Sequence, residues 1–368
     1  MSVIVRKGHA SFDTGSRIAI TTLAPRRVAT AIRSGGDKLK LATWEIDPNG
    51  TIEKGSEVAT IDTISDVKLT TLTPNRMVTA ARSGTGMKLS VWEFNKLSSP
   101  AITQKGFASL ETTFSTPGVS LTYAIAAVTG SRVVTANNFG TGKLRVTIWD
   151  VSTDGDLAEK ESAVTDTIKG VAIATLTSSR IVTAVRSGND GLRLSVWDLG
   201  ADGTLMKVGE DSMTDPIKEL AITSLGSAQI GTALRMKNDD LNVGYWTLNA
   251  AGQIQQVVGT SGGAIEAVEI PRGPTVSSGM DFATVDLSSK GALEIKAWDV
   301  VPNGIVLVGE AALAGEGTEG GTTKHTIAIR EIAAAGWADS TAPDGVVTAV
   351  RDALGNLRGI VWHVEDTA

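Results

Sequence analysis

Seven tryptophans set the period of this chain. Trp44, Trp92, Trp149, Trp197, Trp246, Trp298 and Trp362 sit at intervals of 48, 57, 48, 49, 52 and 64 residues in a sequence of 368. Thr30, Thr79, Thr135, Thr183, Thr232, Thr284 and Thr348 precede them, by 14 residues in six cases and 13 in the second. Each pair brackets a variant of one phrase, such as VATAIRSGGDKLKLATWEI at 28–46 or IVTAVRSGNDGLRLSVWDL at 181–199. A repeat of about 50 residues must be read before domains are counted, because such a unit buries its core only by stacking on its neighbours.

Each phrase reads as a β-hairpin, two apolar-rich runs around a Gly/Asn/Asp/Ser cluster that supplies positive φ angles. In the second run Leu192, Leu194 and Val196 alternate with Arg193, Ser195 and Trp197. A short run lies upstream, such as IAITTL at 18–23, and Asp202-Gly203 or Asn49-Gly50 turns the chain downstream into a fourth run. Four antiparallel strands per repeat, taken seven times, predict an all-β, seven-bladed β-propeller. The last copy stops after its third strand, and VIVRKGHASFDTG at 3–15 matches the fourth strand of other copies. Residues near 2–11 are therefore expected to complete the last blade, which makes residues 1–368 one closed domain and removes a loose edge.

The Trp-Asp or Trp-Glu dipeptides at Trp44-Glu45, Trp92-Glu93, Trp149-Asp150, Trp197-Asp198 and Trp298-Asp299 resemble those of the WD-repeat family. The resemblance covers the whole chain in blade count and strand order. It omits the Gly-His pair that opens a typical WD repeat, so the hydrogen-bonded tetrad built on that histidine is not carried over. The chain also looks like bacterial lectin-type propellers.

Composition narrows the function. No cysteine is present, which excludes disulfides, thiolate metal sites and a cysteine nucleophile, and suits an extracytoplasmic setting. A net charge of −6 and a pI near 5.3 argue against nucleic-acid binding. No apolar run approaches the length of a membrane span, and MSVIVRKG lacks the apolar stretch of a signal peptide. The sequence carries no G-x-S-x-G, H-E-x-x-H or P-loop pattern, and its Asp-Gly pairs at 154–156 and 202–203 read as turns rather than calcium ligands. No metal or cofactor is expected.

Several residues stand out against the repeat. Arg33, Arg82, Arg186, Arg235 and Arg351 close the second strand in five copies. They form either an anion-binding ring or a repeated bond between blades. Small residues such as Ala19, Ala124, Ala172 and Ala221 suit strands crowded about an axis, where Lys68, Glu269 and Arg330 are exceptions that either line a polar channel or form paired structural charges. His325 is the one histidine placed to approach that axis. Two segments, 271–280 and 333–345, read as long connections on one face that either form a ligand- or partner-binding hot spot, with Trp337 as apolar anchor and Arg272 and Asp339 as polar neighbours, or fold back over the channel mouth. The expected function is a non-catalytic recognition module for a protein partner or a carbohydrate. The alternative is an enzyme, a lyase or hydrolase, with its site at the channel mouth.

Overall fold

The computed structural model describes residues 2–84, 86–95, 101–110, 122–270, 281–288, 292–302, 304–313, 329–339, 342–352 and 356–366. Side chains at 2–3, 12–13, 329–345, 350–356 and 364–366 lie outside the description. The described chain is almost entirely strand, and it forms the seven-bladed propeller that the repeat predicts.

Blade one comprises Ser16–Ala24, Arg27–Arg33, Lys38–Ile46 and Ile52–Thr63. Blade two comprises Asp66–Thr73, Arg76–Ser83, Gly86–Phe94 and Ile102–Leu110. Blade three begins with Tyr123–Thr129, Arg132–Phe139 and Lys143–Val151. The 21-residue strand Leu157–Thr177 is its outer strand and then the inner strand of blade four, which adds Arg180–Ser187, Leu192–Leu199 and Leu205–Met213. Ile254–Glu269 serves blades five and six in the same way. Blade five otherwise holds Ile217–Gly226, Gln229–Met236 and Asp240–Leu248, and blade six Phe282–Ser288, Leu293–Val301 and Gly304–Leu313. Blade seven is Ile329–Asp339, Ala342–Asp352 and Asn356–Asp366, completed by Ser2–Thr14 from the other end of the chain. That clasp runs from Ser2 opposite Asp366 to Thr14 opposite Asn356.

The core is divided into seven apolar clusters, one at each junction of neighbouring blades. Every repeat tryptophan is at most 3% exposed and fills the junction with the preceding blade. Its indole Nε1–H donates to the repeat threonine at 2.9–3.1 Å in all seven blades. The Thr-to-Trp spacing is thus a buried hydrogen bond across the second and third strands. It lets a large ring be buried with its one polar group satisfied, and truncating it to alanine costs about 3–5 kcal/mol.

Neighbouring inner strands are not paired with each other in a ladder, so side chains join them. Thr71 Oγ1 donates to the Thr22 carbonyl at 2.8 Å, Thr175 Oγ1 to that of Ala127 at 2.7 Å, and Thr70 Oγ1 accepts from Ala127 N–H at 3.1 Å. At the rim, Gly50, Gly155 and Gly252 adopt φ of +88°, +95° and +82° and press on Gly8, Gly106 and Gly209 of the preceding blade, leaving no room for a Cβ.

One expectation needs correction. Residues 333–345 are not a long connection: the inner strand of blade seven continues to Asp339, with Trp337 opposite Gly345 and Asp339 opposite Ala342. Small residues, read from sequence as loop composition, are what a strand beside the axis admits. Trp337 and Asp339 therefore belong to an extended hairpin.

Candidate functional site

The recurring arginines of the second strand form local bonds wherever these are described. Arg33, Arg186 and Arg235 each pair with the aspartate four residues on, Asp37, Asp190 and Asp239, at 2.5–2.8 Å. Those aspartates sit at φ of +62° to +72° in the hairpin turn. Arg186 also donates to the Lys218 carbonyl of the next blade at 3.1 Å, and Arg235 to that of Glu266. Arg82 lies opposite Asp66, and Arg351 opposite Glu331 and Leu357. Hydrogen bonds from Lys169 and Lys218 hold Asp190 and Asp239 below the ordinary carboxylate range, with the arginines adding to the effect.

The central channel is lined by inner strands of six blades around a cavity of about 140 Å³. Lys68 and Glu269 both line it, as the sequence suggests. Glu219 stands near Glu269. Burial raises its pKa, with Glu269 adding to the rise and Arg235, at 3.3 Å, opposing it. Arg330 begins the inner strand of blade seven; its side chain, like His325 and Arg272, lies outside the described residues.

A different set of residues builds the larger open site. In blades one to four an arginine at the start of the second strand faces the acid that follows the tryptophan: Arg27–Glu45, Arg76–Glu93, Arg132–Asp150 and Arg180–Asp198. Three of these arginines also reach the next blade. Arg27 lies over the Phe94 ring at 5.3 Å, Arg76 donates to the Ser152 and Thr153 carbonyls, and Arg132 donates to those of Gly200 and Ala201. Arg180 instead turns both Nε and Nη2 onto Asp198, at 2.6 and 2.9 Å, and makes no further bond among the described residues. This fork raises the arginine's pKa.

The outer strand differs at the same place. Lys105 and Lys160 approach Glu93 and Asp150 at 3.6 Å from the position where blade four carries Val208. Without a crossing guanidinium or a lysine, the junction of blades four and five opens into a cleft of about 510 Å³. Its walls are the Arg180–Asp198 pair, Leu199, Gly200, Met206 and the hydroxyl-bearing residues Thr177, Ser179, Thr204 and Ser227. Met206 stands directly opposite Asp198 in the sheet and is 62% exposed. Asp202 accepts from the Thr204 N–H and hydroxyl at 3.0 and 2.8 Å, which fixes the turn forming one wall.

Sequence reasoning missed this site. Asp198 registers there only as part of a dipeptide, and Arg180 not at all. The available signal was a combination: blade four keeps the arginine and the acid, Arg180 and Asp198, but carries Val208, as blades five and six carry Val257 and Val308, where Lys105 and Lys160 stand in blades two and three.

No protein-family model matches the chain, and no curated protein does. Solved structures do. The Pseudomonas aeruginosa periplasmic gluconolactonase PpgL is 14% identical with a TM-score of 0.58, covering 79% of this chain and 84% of that one. The SapL1 lectin in complex with alpha methyl fucoside is 13% identical with a TM-score of 0.52, covering 81% and 96%. At such identities the likeness is one of fold.

Proposed function

We propose that this propeller is a carbohydrate-recognition module and that its ligand sits in the cleft between blades four and five. The observation that carries this is the Arg180–Asp198 fork beside an exposed Met206. A sugar residue presents vicinal hydroxyls that both donate and accept, and an apolar C–H face. The carboxylate accepts from such hydroxyls, the unused guanidinium N–H groups donate to their oxygens, and the thioether packs on the C–H face. Because Asp198 already offsets the guanidinium charge, the site suits a neutral sugar rather than an acidic one. Of the arginines that close the second strand, Arg186 and Arg235 are assigned to bonds between blades, since their donors already face turn carboxylates and carbonyls of the next blade. A glycan ligand and the periplasmic origin of one structural neighbour both fit an extracytoplasmic setting.

A glycan array followed by calorimetric titration tests the reading. Neutral saccharides should bind wild type, and Arg180→Ala, with unchanged melting temperature, should bind them about a hundredfold more weakly. Binding of acidic glycans alone, or a protein partner captured equally by Arg180→Ala, would sink it. Turnover of a sugar lactone would move the function to the channel mouth.

A further inference from the structure

We infer that the channel holds a second ligand site, independent of the cleft, for a small zwitterion such as an amino acid. The argument begins with register. Ala19, Lys68, Ala124, Ala172, Ala221, Glu269 and Ala333 occupy one level of the ring. Each lies opposite the residue that follows its blade's repeat threonine: Ala31, Ala80, Ala136, Ala184, Ala233, Val285 and Ala349. Five of the seven are alanine. The two exceptions carry opposite charges and belong to blades two and six, three steps apart in a ring of seven and so on opposing sides of the axis.

The surroundings fit two charges on one small ligand. Lys68 is exposed and lines the channel, and its ammonium makes no hydrogen bond or ion pair among the described residues. Glu269 keeps a partner of its own, and a carboxylate has lone pairs enough to accept from an ammonium as well. Between them the lining mixes aliphatic residues such as Ile20, Leu69 and Ile222 with Tyr123 and a larger share of polar surface. A simple anion would answer Lys68 and meet Glu269 with repulsion, and a simple cation the reverse. A zwitterion answers both at once. A cavity of about 140 Å³, at roughly 30 Å³ per water, has room for about five waters, which a small zwitterion would displace.

The experiment is titration of the intact protein with glycine, β-alanine and 4-aminobutyrate. Butylamine and butyrate serve as singly charged controls, all followed by ligand-observed NMR. At least one zwitterion should bind saturably, and at least tenfold more tightly than either control. Lys68→Ala and Glu269→Ala should each weaken it tenfold or more. Both variants install the residue that five blades already carry, so both should fold, with melting temperature as the check. Saturable binding by no zwitterion up to 10 mM on the order of weak-ligand screening, equal binding of a control, or binding that survives Lys68→Ala overturns the inference. Arg180→Ala should leave this binding unchanged, so failure of the cleft and failure of the channel are read separately.

Discussion

Arg132 and Arg180 stand at the same place in successive blades, each opposite the acid that follows its blade's tryptophan. Arg132 spends Nε on Asp150 and its remaining nitrogens on carbonyls of blade four, while Lys160 supports the acid from the outer strand. Arg180 spends two nitrogens on Asp198 and leaves the rest facing a cleft. The first arrangement is a strut and the second an open fork. What separates them is how the guanidinium is directed and whether a lysine stands on the outer strand. A repeat can therefore carry one binding position without any residue unique to it, simply by leaving a structural contact unmade.

The strongest test of this contrast exchanges its consequences. Arg180→Ala should weaken glycan binding roughly a hundredfold, about 3 kcal/mol, and change stability by less than about 1 kcal/mol. Arg132→Ala should show the opposite balance, costing about 2 kcal/mol of stability through lost charge-assisted bonds to the next blade. Urea unfolding beside calorimetric titration reads both. Equal stability losses in the two variants would remove the distinction.

The junction of blades five and six sharpens it by taking ion pairing out of water. Lys296 donates to Asp286 at 2.8 Å and Glu294 at 2.6 Å, and Asp286 is fully buried. Burial raises the Asp286 pKa from 3.8 to about 6, against the pull of Lys296. The native state then holds a proton that the unfolded state has released, so stability should fall as pH rises from about 4 to about 6 and level off above. The expected fall is about 2 kcal/mol, and Asp286→Asn should abolish it. Unfolding free energies measured from pH 4 to 7 decide; identical slopes for the two proteins would sink the assignment.

The smallest effect comes from restoring the missing lysine. Val208→Lys should bring an ammonium toward Asp198, as Lys160 approaches Asp150. It should reduce glycan affinity about tenfold with stability within about 0.5 kcal/mol of wild type. Unchanged affinity would show that Asp198 is not what the ligand meets.

The ring was legible because its signals recur. The Trp period, the turn glycines and the missing fourth strand of the last blade point to one topology, and the clasp and inter-blade tryptophans follow them. The cleft was hidden because it is made by side-chain direction. Arg132 and Arg180 begin the same strand in sequence, and nothing in the string says that one crosses to the next blade. Trp337 misled for a related reason, since small residues mark a loop in most chains but a paired strand beside an axis. Arg272 and His325 lie outside the described residues.

The two long shared strands have a mechanical consequence. Leu157–Thr177 welds blades three and four into one seven-stranded sheet, and Ile254–Glu269 does the same for blades five and six. Shear between the members of either pair has to bend a continuous backbone, whereas blades four and five meet across a break in the strand between Met213 and Ile217. Elastic breathing of the ring is thus left to the junctions without a shared strand, and the seam of blades four and five is the one of these where the cleft opens. Amide deuterium uptake should be faster at Gly200–Thr204 and Ser227–Ala228 than at the matching turns of blade three, and a bound saccharide bridging the seam should slow it.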